Sequence, residues 1–299
     1  MYRRIEYLLQ NKVVSQIYPY LHTSIHQYLK KILIFFLIFF LVPCSLFAEY
    51  KRIVSLAPSV TESLYELGID EQVIANTTFC SDGKLKKEKI GTFTEPNIEK
   101  IVSLKPDLII ATKEGNNKTS VEKMKRLNLP VYVMETVSNF EDICNNFQSL
   151  ADFLGETEKA KKIISDVKQE VNLICEKRKT KPETVFWEVG ANPLFTVGKQ
   201  SYVNDYNKFA GGENIFIDID MRYPNINIEA VLEKNPDIII LVNMGDITEK
   251  EILKWNKYKT INAVKNKKVF MLNASDIFTP TPKTFLKGLK ILRSKILED

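Results

Sequence analysis

Asn97-Ile-Glu-Lys-Ile-Val-Ser-Leu-Lys-Pro-Asp-Leu-Ile-Ile-Ala111 recurs further along the chain as Asn227-Ile-Glu-Ala-Val-Leu-Glu-Lys-Asn-Pro-Asp-Ile-Ile-Ile-Leu241, with seven of fifteen positions identical and in the same order. In each copy Asn is suited to cap a helix, because its side-chain oxygen can accept from the unpaired N–H groups of a first turn. The apolar residues that follow (Ile98, Ile101 and Val102; Ile228, Val231 and Leu232) fall on one helical face. Pro-Asp then ends the helix, and a short apolar run with the composition of a buried strand follows. A helix–strand unit duplicated at this distance implies two lobes of similar construction.

Outward from the repeat the chain alternates strand and helix in the manner that gives parallel sheets with helical crossovers. Strands are predicted at Ile53–Leu56, Val73–Ala75, Leu108–Ala111 and Val131–Met134, with a helix over Phe140–Leu154. Ser59-Val-Thr-Glu62 reads as a capping box that opens a helix stopping at Gly68. From Glu156 to about Lys177 the residues Ala160, Ile163, Ile164, Val167, Val171 and Ile174 keep helical period without Gly or Pro, which predicts a single connecting helix. After Pro182 the alternation restarts, with strands at Val185–Val189, Ile238–Val242 and Val269–Leu272, then Thr281 and Pro282 starting a terminal helix. The fold class expected is α/β: two Rossmann-like lobes, each a parallel sheet flanked by helices, joined by one long rigid helix. The expected division is a leader at 1–48, an N-terminal lobe at 49–154, the connecting helix at 155–181 and a C-terminal lobe at 182–299. Because parallel sheets bind ligands beyond the carboxyl ends of their strands, the cleft between the lobes is the expected site.

The leader is set apart by composition. Lys30 and Lys31 precede eleven apolar residues, Ile32 to Val42, too few to span a bilayer as a helix, where about 20 are needed. This is the pattern of a signal peptide cut after Ala48 on export to the periplasm; the alternative is lipid attachment at Cys44. Five of the 42 basic residues and one of the 37 acidic residues lie in 1–48, so the remainder is within one charge of neutral and offers no nucleic-acid surface. The runs Lys84–Lys89 and Lys177–Lys181 read as solvated loops and helix ends. His22 and His26 are the only histidines and both fall in the leader, which leaves the exported chain without Ser-His-Asp or Cys-His catalysis or histidine ligation of a metal. Cys80, Cys144 and Cys175 lack C-x-x-C spacing and allow either one disulfide or three thiols.

No enzymatic constellation emerges. Gly198-Lys-Gln-Ser201 resembles the end of a phosphate-binding loop, but Pro193 occupies its first glycine position and the serine is displaced by one. No metal-ligand set or catalytic cofactor motif is present. The loops after the predicted strands carry aromatics instead: Phe79, Phe93, Phe195, Tyr223 and Phe278. Singly each suits a core as well as a cleft; together they suit the walls for a large planar or greasy ligand. Arg222 suits either a surface ion pair or an anion contact.

Arg52-Ile-Val-Ser-Leu-Ala-Pro-Ser-Val-Thr-Glu62, Pro96-Asn-Ile-Glu99 leading to Leu104-Lys-Pro-Asp-Leu108, Asn192-Pro-Leu-Phe-Thr-Val-Gly198 and Gly211-Gly-Glu-Asn-Ile-Phe216 carry a resemblance. From about Lys51 to the C-terminus the chain resembles the periplasmic binding proteins of the cobalamin and iron-siderophore class, and within it the cobalamin-binding members. The resemblance implies a two-lobed, non-catalytic monomer that captures cobalamin or a related corrinoid and hands it to an ABC importer, permease and ATPase; an iron-siderophore or haem is the alternative ligand. It further implies that Phe93 and Tyr223 pack on the ligand's ring, that Asp276 is an acid near its lower side, and that Glu99 and Glu229 dock onto arginines of the two permease subunits. A carboxylate in a first turn is also favoured by the helix dipole alone. The chain departs from the cobalamin binders at Thr112, where they have Trp, and in Asp276–Lys283, which is shorter and lacks their Arg.

Overall fold

A computed structural model describes Lys30 and residues 50–176, 181–243 and 249–297. The predicted leader with Cys44 and Ala48, and residues 177–180 of the second basic run, lie outside the described residues. Both lobes belong to one compact unit, which begins at Tyr50.

The N-terminal lobe runs β1 (Ile53–Ser55), α1 (Pro58–Glu66), β2 (Val73–Asn76), β3 (Glu88–Lys89), α2 (Ile98–Ser103), β4 (Leu108–Thr112), α3 (Lys118–Arg126), β5 (Val131–Met134) and α4 (Phe140–Leu154). Its strands form one parallel sheet in the order β3-β2-β1-β4-β5. The linker is α5 (Thr157–Glu176), one uninterrupted helix of 20 residues. The C-terminal lobe runs β6 (Glu183–Glu188), β7 (Gly190–Ala191), β8 (Leu194–Phe195), α6 (Val203–Ala210), β9 (Gly212–Asn214), α7 (Ile228–Lys234), β10 (Ile238–Asn243), α8 (Glu249–Trp255), α9 (Asn262–Lys265), β11 (Val269–Asn273), α10 (Ala274–Ile277) and α11 (Pro282–Leu297). Its parallel sheet is ordered β11-β10-β6-β9, with β7 and β8 as a separate antiparallel hairpin.

The repeat builds the same joint in both lobes. Asn97 Oδ1 accepts from Lys100 N at 2.9 Å and Asn227 Oδ1 from Ala230 N at 2.9 Å, so both asparagines cap as their position predicts. The aspartate of each Pro-Asp then ties the start of its strand to the lobe's first strand. Asp107 accepts from the backbone N–H groups of Lys51 (2.7 Å) and Arg52 (3.0 Å). Asp237 accepts from Thr184 N (3.0 Å) and Thr184 Oγ1 (2.8 Å). Burial raises the Asp237 carboxyl's pKa, but hydrogen bonds from Thr184 and Asn262 outweigh it and hold the group below the usual carboxylate range. These ties set the registers Ile53 to Leu108 and Val185 to Ile238.

Parallel strands are buried on both faces, which explains their near-continuous apolar runs. Ile53, Leu108 and Ile110 pack with Leu64 and Leu150 on one side of the first sheet, while Val54, Ile109 and Ala111 pack with Ile101 and Met124 on the other. The second sheet sorts Trp187, Ile238 and Ile240 against α11, and Phe186, Ile239 and Leu241 against α7 and Trp255.

Three local readings are corrected. The helix at Ser59 has no capping box: Pro58 with its fixed φ takes the first turn, Ala57 is the cap, and Glu62 instead accepts from Ser81 Oγ at 2.6 Å. Val102 is 44% exposed, so α2 buries Ile101 and only part of Ile98. Lys87 in the Lys84–Lys89 run is buried, its ammonium donating to the Asp70 carbonyl at 2.7 Å. No disulfide joins Cys80, Cys144 and Cys175 to one another.

The lobes share a core. On α5, Ala160 packs into the N-terminal core, whereas Val167 and Val171 pack into the C-terminal one. Phe140, Ile143 and Cys144 of α4 also belong to the C-terminal cluster.

Candidate functional site

In each lobe the loops at the carboxyl ends of the strands carry the aromatic residues. Phe79, after β2, is 66% exposed and meets Phe93, after β3, edge-on at 6.1 Å. The loop under Phe79 is fixed by Lys89 Nζ, which donates to Asn76 Oδ1 (2.8 Å) and the Cys80 carbonyl (2.9 Å) and pairs with Asp82 (2.7 Å). The loop of Phe93 is fixed by buried Asn116. Its amide donates to the carbonyls of Phe93 (2.7 Å) and Leu56 (2.8 Å), and its Oδ1 accepts from Thr112 N (2.7 Å). One side chain therefore ties together the loops after β1, β3 and β4.

On the other lobe Tyr223 and Phe278 meet edge-on at 5.8 Å. The segment that carries Tyr223 lies against Gly198, whose N–H donates to the Arg222 carbonyl at 2.9 Å. A Cβ on Gly198 would collide with the Met221 carbonyl, so this approach requires glycine. Burial first, and then the Glu114 carboxylate, push the Tyr223 phenol up to about 12.

Arg222 crosses from one lobe to the other. Its guanidinium donates to Glu114 Oε1 (2.8 Å), the Val137 carbonyl (2.7 Å) and Ser138 Oγ (3.2 Å), all in the N-terminal lobe. Glu114 adjoins Gly115, which lies beside the Phe93 ring, and Arg222 adjoins Tyr223. The bridge thus joins the N-terminal loop beside Phe93 to the C-terminal segment that carries Tyr223. Burial raises the Glu114 carboxyl's pKa, and Arg222 offsets only part of the rise.

The remaining predicted residues are placed as follows. Phe195 is half-buried in the β7–β8 hairpin, against Gly190 and bridged to Asn225, two residues past Tyr223. Asp276 is paired with Lys287 of α11 at 2.6 Å, which neutralises it. Glu99 and Glu229 are exposed in the first turns of α2 and α7, each six residues past an aromatic residue of the site (Phe93 and Tyr223), and are equivalent in the repeat. Concavities of about 620 Å³ along α4–α5 and 590 Å³ beside α6 and β9 hold none of the predicted residues. Sequence reasoning missed Asn116, Glu114 and Lys89, and left Arg222 undecided, because their roles depend on partners distant in the chain.

Two parallel-sheet lobes on a common helical spine, with aromatic loops meeting across a cleft, define a bilobal ligand-binding protein. Residues 53–275 match the family described as periplasmic binding protein, and the chain belongs to that family. A vitamin B12-binding protein of Vibrio vulnificus is 30% identical over 243 residues, 80% of this chain and 88% of the relative. Among solved structures, the periplasmic vitamin B12-binding protein BtuF of Vibrio cholerae is 28% identical with TM-score 0.69, covering 83% of this chain and 97% of that one. A possible iron-binding periplasmic solute-binding protein of Staphylococcus epidermidis is also 28% identical, with TM-score 0.72, covering 84% of this chain and 100% of that one.

A second contact between the lobes is titratable. Glu66, at the end of α1, accepts a hydrogen bond from Thr281 Oγ1 at the start of α11, while its Oε2 is out of reach of water and has no partner among the described residues. Burial raises its carboxyl from 4.5 to about 7, against the opposing pull of Thr281 and Lys283. A carboxyl that protonates more readily in the folded chain gives stability that is fully present below 4.5 and lost as the pH rises through 7. We expect that loss to be on the order of 2 kcal/mol, trimmed by partial exposure. Thermal unfolding between pH 5 and pH 8 should therefore show the wild type losing stability relative to Glu66→Gln; identical pH profiles would contradict the assignment.

Proposed function

We propose that the exported chain captures cobalamin or a related corrinoid between its lobes and delivers it to the permease of an ABC importer. The observation that carries this reading is the bridge-linked pairing of Phe79–Phe93 on one lobe with Tyr223–Phe278 on the other. Aromatic side chains bury about 150–250 Å² each with few rotamers to freeze, which suits a broad macrocycle better than a small polar solute. The names of the Vibrio relatives support the corrinoid. The Staphylococcus epidermidis relative supports an iron chelate as the second reading. Membership of a binding-protein family supports binding without catalysis, and supports the periplasm as the compartment.

Both tryptophans are buried in the C-terminal core, Trp187 donating to Asn207 Oδ1 (3.0 Å) and Trp255 to Glu188 Oε2 (2.6 Å), so neither touches a cleft ligand and their fluorescence is an indirect reporter. Calorimetry with cobalamin, cobinamide, haem and a ferric hydroxamate is the direct test. Cobalamin is expected to bind in the submicromolar range, and Phe93→Ala and Tyr223→Ala each to weaken it about tenfold. Tight binding of only an iron chelate would overturn the corrinoid assignment.

The same reading assigns Glu99 and Glu229 to permease docking. Both are exposed, and the capping asparagines, not these carboxylates, accept the first-turn N–H groups. As caps of the dipole they are worth only about 0.3–1 kcal/mol each. Exposed charges of this kind set orientation and encounter rate, most strongly at low salt. The Glu99→Ala/Glu229→Ala double variant is expected to keep its fold and ligand affinity but to lose pull-down with the transporter and uptake. Wild-type uptake by the double variant, or loss of ligand binding instead, would remove the docking role.

A further inference from the structure

The bridge between Arg222 and Glu114 sets one positive and one negative charge next to the aromatic residues, Arg222 preceding Tyr223 and Glu114 preceding the Gly115 that lies beside Phe93, on side chains only 19% and 33% exposed. The two are held differently. Arg222 has further acceptors in the Val137 carbonyl and Ser138 Oγ, so it remains anchored whether or not Glu114 is charged. Glu114 has Arg222 as its hydrogen-bond partner among the described residues. The nearby acid Glu135 is engaged by Lys113 at 2.5 Å, and the Tyr223 phenol is neutral at physiological pH. A ligand group that reaches Arg222 therefore also meets the Glu114 carboxylate. A carboxamide satisfies both, accepting from the guanidinium and donating to Glu114. A carboxylate can accept from Arg222 but has no proton to donate to Glu114, so the attraction to the guanidinium is offset by two carboxylates left facing each other where water is scarce.

We infer that the Glu114–Arg222 pair is a charge filter that makes the cleft select ligands whose side groups are neutral carboxamides over the same ligands bearing carboxylates. The inference rests on the corrinoid reading, since a corrin carries peripheral carboxamides. Its test compares cobalamin with the separated derivatives in which one peripheral carboxamide is hydrolysed to a carboxylate. The mature wild-type chain is expected to bind at least one of these acids roughly tenfold more weakly than cobalamin, a difference of about 1.4 kcal/mol. That penalty should shrink with added salt, and Glu114→Gln, confirmed as folded by thermal unfolding, should abolish it. An undiminished penalty in Glu114→Gln, or no penalty for any of the acids in the wild type, overturns the filter. Failure of cobalamin and all its derivatives to bind contradicts the ligand reading instead. The filter is then tested on a neutral ferric hydroxamate and its carboxylate-bearing counterpart, with the same order expected and an equal affinity for the two overturning it.

Discussion

Phe285 of α11 lies between two rings. Tyr206 of α6 stacks on it at 4.3 Å and Phe140 of α4 at 4.5 Å. Phe140 begins the last helix of the N-terminal lobe, and its N–H donates to Asp205 of the C-terminal lobe at 2.7 Å. This stack crosses the lobe boundary, and everything at the cleft depends on it. α5 is shared between both cores and has no internal Gly or Pro, so the described part of the connection between the lobes is a stiff, packed helix. The aromatic loops are thereby presented at a nearly fixed separation, and the cross-cleft contacts of Arg222 and Glu66 act within that frame.

The duplicated segment was legible because each of its letters has a local job. Asn caps, Pro stops, and the apolar run buries on both sides of a parallel sheet. What the letters did not disclose is that each Pro-Asp aspartate also ties the lobe's first strand into register, since Lys51–Arg52 and Thr184 are more than fifty residues away. Local reasoning failed where two signals competed. At Pro58–Glu62 the pattern of a capping box was present, but proline already occupied the first turn and Glu62 found Ser81. In the Lys84–Lys89 run, composition suggested solvent, yet Lys87 donates to the Asp70 carbonyl ahead of β2 and Lys89 to the Cys80 carbonyl in the Phe79 loop.

The site divides the same way. Aromatic residues after strands could be read from order along the chain, and the structure joins four of them in two pairs linked by the bridge. Phe195 sits in a hairpin beside them, and Asp276 is neutralised by Lys287. The polar frame could not be read, because Glu114 and Arg222 are 108 residues apart and Asn116 reaches back 60 residues to Leu56. Nothing short of the folded sheet brings those groups together. Glycine at 198 is intelligible only once the Arg222–Tyr223 segment is seen to pass over it.

A periplasmic binding protein whose lobes share a core should hold its ligand by fitting it into a nearly preformed cleft, with loop and side-chain adjustment in place of a large hinge motion. Small-angle scattering of the mature chain with and without saturating cobalamin measures this directly. A common spine predicts the same radius of gyration in both states within error; a shrinkage of several ångströms on binding would contradict it.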